Sequence, residues 1–344
     1  MLRLFLTIFS LMLVACNESK VVKEKQNFNI EATLTLDSNK FNGASLVSTP
    51  SIHQESDFEE LLDFNFNAVA LSPFAFIRKD EAEVIYNTDH QWLGELPEGI
   101  RTAIDHAKGK GLKIMLKPQL WGHGIFTGDI QFQNDSLWTV FEESYSNFLL
   151  QMANIAEEKN VDLFCIGTEL ATFVNLRPQY WRKLIIAIKD IYKGKLTYAE
   201  NWDSFSKVPF WESLDYIGVD AYFPLSQKNH PSVQELNTGW KIWIKKLRNL
   251  AEQKEKSILF TEWGYRSSIS NALAPWEHGE RKEVSVKNQL NAYKSYYQSV
   301  YNQDWFSGGF LWKWFPNFKE GQSKDGFTPQ HKSSAKFLKE LKMK

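Results

Sequence analysis

The sequence lacks the signatures of several common enzyme classes. Of its 344 residues only Cys16 and Cys165 are cysteines, too few for a disulfide framework. Forty basic and 41 acidic residues leave a net charge of -1, so no excess of positive charge points to a nucleic-acid partner. H-E-x-x-H, G-x-S-x-G and G-x-G-x-x-G motifs are all absent. These absences argue against metallohydrolase and serine hydrolase activities and against a glycine-rich phosphate-binding loop, and we expect no metal and no cofactor.

Aromatic residues, in contrast, are abundant. They make up 15% of the chain, and 13 of them are tryptophans. Large aromatic side chains fill protein cores, which accounts for about half of them by a rough estimate. Indole rings at a surface also stack on the flat C–H faces of sugar rings. The excess therefore favours a carbohydrate-binding protein with a substantial core.

The first residues have the pattern of a targeting segment. Arg3 precedes an apolar stretch, Leu4 to Val14, that is too short to span a bilayer. The following Leu13-Val14-Ala15-Cys16 resembles the lipobox of bacterial lipoproteins. We expect cleavage before Cys16, lipid attachment to its thiol, and a polar tether over 17–38. The predicted location is the bacterial cell envelope, outer membrane or periplasmic face, with the lipid as the only membrane contact.

From residue 39 onward, short β-like runs alternate with helical patterns, which is typical of a parallel sheet with crossover helices. Eight such runs are present, the number that closes a barrel. We therefore predict one α/β domain, a single (β/α)8 TIM barrel over 39–344, acting as a monomer. The predicted strands are Phe41–Leu46, Ala68–Leu71, Lys113–Leu116, Leu163–Ile166, Leu196–Tyr198, Tyr216–Val219, Ile258–Phe260 and Gly309–Trp312. The long segments 73–97 and 119–136 are expected to build much of the cleft wall.

Two glutamates follow predicted strands, Glu169 after the fourth and Glu262 after the seventh. Active sites of such barrels lie at these strand ends. Retaining glycoside hydrolysis requires two carboxyl groups about 5 Å apart, one acid and one nucleophile. A helix cap or a surface salt bridge is the competing interpretation for each glutamate. Glu200 replaces one of the pair if the strand register is wrong by one residue.

The segments Gly167-Thr168-Glu169-Leu170 and Thr261-Glu262-Trp263-Gly264-Tyr265 resemble motifs of glycoside hydrolase clan A, and within it family 113, mostly β-1,4-mannanases. The resemblance covers nearly all of 40–340. It implies that Glu169 is the acid/base and Glu262 the nucleophile. It also implies that Tyr222 orients the nucleophile and that Trp312 forms the floor under the reacting sugar.

One position departs from the clan pattern. Many clan families have an asparagine before the acid/base that binds the sugar 2-hydroxyl, and here Thr168 occupies that position. Asn201 and Lys117 are the candidates to replace this contact. Further candidates for substrate binding lie at the strand ends: Trp121, His123, Trp202, Asp220 and Trp263. For Asp220 a structural role as a hydrogen-bond acceptor is the alternative.

The sequence thus predicts a retaining hydrolase of β-1,4-linked mannan or manno-oligosaccharides. A retaining hydrolase of another β-glycan, such as glucan or xylan, remains open. A surface lipoprotein that captures glycans without cleaving them is the alternative from a different class. A pair of like-charged carboxylates, which repel one another, favours the enzyme.

Overall fold

The computed structural model describes residues 34–277, 279 and 282–343, and its centre is a closed barrel of eight parallel strands in chain order. The strands are β1 Phe41–Leu46, β2 Ala68–Leu71, β3 Lys113–Leu116, β4 Leu163–Thr168, β5 Lys195–Asn201, β6 Tyr216–Asp220, β7 Ser257–Trp263 and β8 Phe306–Trp314. All eight predicted runs are strands, and several extend one to three residues further. The prediction of a (β/α)8 barrel is confirmed.

Helices surround the barrel and follow the predicted apolar periodicity. They are α1 Ser56–Asp63, α2 Pro97–Gly109, α3 Asp135–Glu158, α4 Ala171–Leu176, α5 Pro178–Ile191, α6 Val233–Lys254, α7 Val286–Tyr296 and α8 Ser333–Glu340. A π-helical turn, Tyr297–Tyr301, continues α7. Asn134 caps α3, and Ser232 with Glu235 forms a capping box on α6, so side chains satisfy the free N–H groups at both starts.

Side chains from alternate strand positions fill the barrel interior, as the pleat of a β-strand requires. This inner cluster consists of Phe41, Ala68, Ala70, Met115, Leu163, Cys165, Ala199, Leu259 and Phe310. Cys165 is a free, buried thiol in this layer and packs there as a small apolar side chain. Lys117 follows Met115 by two residues, so its side chain also points to the inside of the barrel. Polar side chains therefore begin directly above the apolar interior.

β-Bulges interrupt the strand pairing near the carboxyl ends of β4, β7 and β8. Val219 pairs with Phe260, but the next residue, Asp220, pairs with Glu262, so Thr261 is the extra residue. Comparable register shifts lie between Cys165 and Thr168 and between Leu311 and Trp314. Bulges change the direction of the side chains that follow them. They occur here in the three strands that carry the predicted Glu169, Glu262 and Trp312.

The long segments after β2 and β3 form a small accessory sheet. Its strands are Phe74–Ile77, Val84–Ile85 and Gln119–Trp121, with the first strand in the middle. Short 3-10 turns at Leu93–Glu95 and Thr127–Asp129 complete these segments. Two further 3-10 turns, Phe205–Lys207 and Trp211–Ser213, follow β5. The sequence predicted that these long segments build much of the cleft wall, but it did not predict a sheet.

The folded part of the chain begins earlier than predicted. Thr35–Leu36 pairs in parallel with Lys342–Met343, and Leu36 is buried, so the barrel unit includes the end of the predicted tether 17–38. The predicted signal segment 1–16, Cys16 and the tether up to residue 33 lie outside the described residues. None of the described helices is both long and apolar enough to cross a membrane.

Candidate active site

Glu262 lies near the end of β7 with its carboxylate at the mouth of the barrel. The side chain is 8% exposed. Its Oε2 accepts a hydrogen bond of 2.6 Å from the hydroxyl of Tyr222, and its Oε1 accepts one from the ammonium group of Lys117. The Nε2 of Gln119 lies 3.4 Å from the same Oε1. Three donors thus fix the orientation of this carboxylate and compensate the loss of water around it.

Lys117 is completely buried between two acidic side chains. It pairs with Glu262, and its Nζ lies 3.5 Å from Oδ2 of Asp220. Burial opposes the charge on the ammonium group, but the carboxylates of Asp220 and Glu262 outweigh it and raise the pKa of Lys117. The lysine therefore carries a permanent positive charge directly behind Glu262.

Asp220, at the end of β6, completes this buried charge cluster. Its Oδ1 accepts a 2.7 Å hydrogen bond from the hydroxyl of Thr261, the bulge residue. Burial and the neighbouring charge of Glu262 raise the pKa of Asp220 to about 7, although Lys117 and Thr261 act in the opposite direction. The side chain has no exposed surface, so it acts on the site through Lys117.

Glu169 follows β4 and is held in a left-handed backbone conformation, with φ of 51°. Such a conformation costs a non-glycine residue about 1–3 kcal/mol and occurs where the surroundings enforce it. Here the N–H of Glu169 donates to the carbonyl of Ala199 at 2.8 Å, and the N–H of Leu170 donates to the hydroxyl of Tyr198 at 2.8 Å. Two hydrogen bonds to β5 therefore hold the strained residue in place.

The electrostatic surroundings of Glu169 favour its protonated form. Burial raises the pKa of its carboxyl group most, and the charges of Asp220 and Glu262 raise it further, whereas Lys117 partly opposes them. One carboxyl group of the pair is thus shifted toward an acid, while the other is held by a cation and a hydroxyl donor. This division of roles is the one that an acid and a nucleophile require.

The model of Glycoside Hydrolase Family 113 matches residues 49–332 of this sequence. The chain belongs to that family. It is therefore a glycoside hydrolase, and the resemblance noted from the two short motifs is confirmed.

Solved structures agree with this assignment. A family 113 β-mannanase from Alicyclobacillus acidocaldarius, in complex with ManMIm, has a TM-score of 0.77 at 23% identity, covering 88% of this chain and 96% of that one. A second family 113 β-1,4-mannanase has a TM-score of 0.76 at 22% identity, covering 88% and 98%. A β-glucuronidase from Ruminococcus gnavus has a TM-score of 0.59 at 13% identity and is covered over 49% of its length. At these identities the structures establish the shared barrel fold. No curated protein sequence matches this chain significantly.

The other predicted residues of this family 113 site differ in how far their side chains are buried. Trp312 is partly exposed at the end of β8, and Asn201 is partly exposed at the end of β5. Oδ1 of Asn201 accepts from the N–H of Trp202, and its amide nitrogen has no partner in the part of the chain that the structure describes. Trp202 stacks on Trp276 with ring centroids 4.6 Å apart. These side chains are accessible, whereas Lys117 and Asp220 lie beneath the surface.

The structure does not bring Trp263 to the mouth of the barrel. Its indole is buried in the helix layer and stacks on Tyr296 of α7 with ring centroids 3.9 Å apart. The bulge that turns Glu262 toward the mouth leaves the next side chain facing the helices. Trp263 is therefore placed as a packing residue, in contrast to the predicted contact with substrate.

Trp121 is the last residue of a strand of the accessory sheet, and His123 follows two residues later. Both are exposed, and their rings are 6.2 Å apart. Glu200, the alternative catalytic carboxylate, is buried on the outer side of β5. It accepts hydrogen bonds from the N–H of Asn201 and the hydroxyl of Ser204. Its position outside the barrel favours the pair Glu169 and Glu262.

Two residues near Glu262 were missed by the sequence analysis. Gln119 contacts the carboxylate directly. Its position two residues after Lys117 in the sequence could have identified it as a site residue. Lys313 follows Trp312 through a cis peptide bond, and its Nζ lies 5.2 Å from the centre of the Trp312 ring. Burial lowers the pKa of Lys313, while the charge of Glu262 opposes this. Within the described ranges no cluster of His, Cys, Asp and Glu has the arrangement of a metal site.

The hydrogen bond from Tyr222 predicts a specific loss of activity. In Tyr222→Phe the Glu262 carboxylate loses a donor, and a hydrogen bond to a charged group contributes about 1.5–3 kcal/mol, so kcat/KM should fall roughly ten- to hundredfold. The measurement is steady-state hydrolysis of the best glycoside substrate.

Tyr265 provides the matched control for this experiment. It is equally buried, but its hydroxyl donates 3.1 Å to the neutral carbonyl of Phe223. Tyr265→Phe should lower the free energy of unfolding by about 1 kcal/mol and leave kcat/KM nearly unchanged. An equal loss of activity in both variants would show that Tyr222 acts on stability alone.

Proposed function

We propose that this family 113 enzyme hydrolyses β-1,4-linked mannan or manno-oligosaccharides with retention of anomeric configuration. The observation that carries the proposal is the unequal carboxyl pair. Glu262 is held by Lys117 and Tyr222, and Glu169 has a raised pKa. Family 113 structures similar to this chain are named as β-mannanases, which supports mannan as the substrate.

In the first step Glu169 donates its proton to the glycosidic oxygen while Glu262 attacks the anomeric carbon. The bond from that carbon to the leaving oxygen breaks, and an ester bond to Glu262 forms. Tyr222 and Lys117 limit the positions that the attacking carboxylate can adopt. A nucleophile already fixed in position needs little reorganisation to reach the transition state.

In the second step the charge balance of the pair is reversed. Glu262 is neutral in the ester, so its contribution to the raised pKa of Glu169 is removed, and Glu169 is now ionised. Glu169 can then accept a proton from water as the water oxygen attacks the anomeric carbon. The ester bond breaks, the carboxylate of Glu262 returns to its ion pair with Lys117, and Glu169 is again protonated.

The contact with the sugar 2-hydroxyl is best assigned to Asn201. The hydroxyl of Thr168 is buried and has no hydrogen-bond partner among the described residues, so it is not open to substrate. Lys117 is also inaccessible. Asn201 has a free amide nitrogen on accessible surface next to the charge cluster, and of the three residues it alone offers such a donor to a sugar.

Product analysis by NMR tests the proposal. The soluble protein starting after Cys16 is incubated with β-mannan, β-glucan and xylan oligosaccharides, and the anomeric signals are followed in time. We expect cleavage of mannan oligomers, initial release of the β-anomer, and no turnover by Glu262→Ala. Initial release of the α-anomer would contradict retention. Cleavage of only glucan or xylan would show that this glycan, and not mannan, is the substrate. Binding without cleavage would favour a glycan-capturing protein.

The raised pKa of Glu169 predicts the alkaline side of the pH profile. Because the acid must be protonated in the first step, kcat/KM should fall as the pH rises through the raised pKa of Glu169. In Glu169→Gln this alkaline decline should disappear for an aryl glycoside whose leaving group needs no proton. An unchanged alkaline decline in Glu169→Gln would assign the acid to another residue.

We also propose that lipid attached to Cys16 anchors the enzyme in the bacterial cell envelope. The support comes from the sequence pattern alone, since Cys16 lies outside the described residues. Cys16→Ser should move the full-length protein from the membrane fraction to the soluble fraction. Unchanged membrane association of Cys16→Ser would contradict the lipid anchor.

A further inference from the structure

The accessory sheet presents an unusual surface beside the active site. One face is buried and apolar, formed by Ala75, Ile77 and Leu120. The opposite face of a sheet normally carries polar side chains toward water. Here its partly exposed residues include Phe74 and Phe76, and Trp121 is 50% exposed. A concentration of open aromatic surface of this kind marks a place where a ligand binds.

Strand pairing places these aromatic side chains in a defined arrangement. Phe74 pairs in parallel with Gln119, and Phe76 pairs with Trp121. Residues paired in this way point to the same side of a sheet, as do residues two apart in one strand. The rings of Phe76 and Trp121 are 6.1 Å apart, which confirms that they share one face.

The same face continues into the catalytic pair. The amide of Gln119 lies on it and reaches 3.4 Å from Oε1 of Glu262. Trp121 follows two residues later, which is about 6.5–7 Å along an extended strand. A ligand that contacts Gln119 at the reacting sugar would therefore meet the Trp121 ring about one sugar unit further along.

We infer that the face formed by Phe76, Gln119 and Trp121 is a subsite for the sugar unit that adjoins the reacting sugar on the side away from the cleaved bond, a position that the shortest substrate leaves empty. This inference rests on the proposed function and extends it, because an extra subsite makes long β-glycan chains better substrates than short ones. Trp121 is half exposed, so its indole is open to stacking by a pyranose ring, and the Phe76 ring meets it at 79°.

Kinetics with oligosaccharides of two to six units test the subsite. Trp121→Ala should lower kcat/KM about tenfold or more for the longest oligomer, and less than about twofold for the shortest one that is cleaved. Phe76→Ala should have a weaker effect in the same direction. Trp121→Phe keeps an aromatic face and should restore most of the loss.

Ile242→Ala serves as the control for truncating an exposed apolar side chain, since Ile242 is 64% exposed on α6. Ile242→Ala should leave kcat/KM unchanged for every oligomer. An equal loss of kcat/KM for short and long oligomers in Trp121→Ala, or no loss at all, would overturn the subsite while leaving the proposed function intact.

If the wild-type enzyme cleaves none of the oligomers, the proposed function is contradicted. The subsite is then tested by the affinity of the protein for oligomers. Calorimetric titration of the wild type and Trp121→Ala with the mannan, glucan and xylan hexamers provides this measurement. Weaker binding of a hexamer by Trp121→Ala would support the subsite. Equal affinities, or no binding by the wild type, would overturn it.

Discussion

The buried ammonium group of Lys117 is the interaction on which the site depends. A lysine with no exposed surface would be costly inside a barrel, and the carboxylates of Asp220 and Glu262 make its charge tolerable. The dependence is mutual, because Glu262 is also nearly buried and this ammonium group is its ion-pair partner. The apolar interior below and the polar mouth above meet at this ion pair.

Strand geometry determines which carboxylates reach the mouth. The bulge at Thr261 places Glu262 opposite Asp220, and the register shift in β4 precedes the strained backbone of Glu169. Without these local irregularities the alternation of a regular strand would give both glutamates other directions. The irregular strand ends and the charged cluster are thus parts of one arrangement, and together they give two identical side chains different electrostatic surroundings.

The barrel was predictable from the sequence because its signals are local. Eight apolar runs and the helical periodicity between them depend on residues close in the chain, and so does the position of a glutamate after a strand. The site contacts were less predictable, because they depend on pairing between distant strands. The burial of Trp263 against α7, the contact of Gln119 with Glu262, and the pairing of Phe74–Ile77 with Gln119–Trp121 all join segments far apart in the chain. Lys117 was found as a site residue, but its ion pair with Glu262 required the closed barrel.

In the proposed mechanism Glu262 is the nucleophile of a double displacement. Intact-protein mass spectrometry after incubation with an activated 2-deoxy-2-fluoro-β-mannoside detects the ester on this residue, because the fluorine slows hydrolysis of the ester and lets it accumulate. We expect a mass increase of one fluorosugar, located by peptide mapping on Glu262. A label on a different residue, or steady turnover of mannan oligomers with no label at any time, would contradict this mechanism.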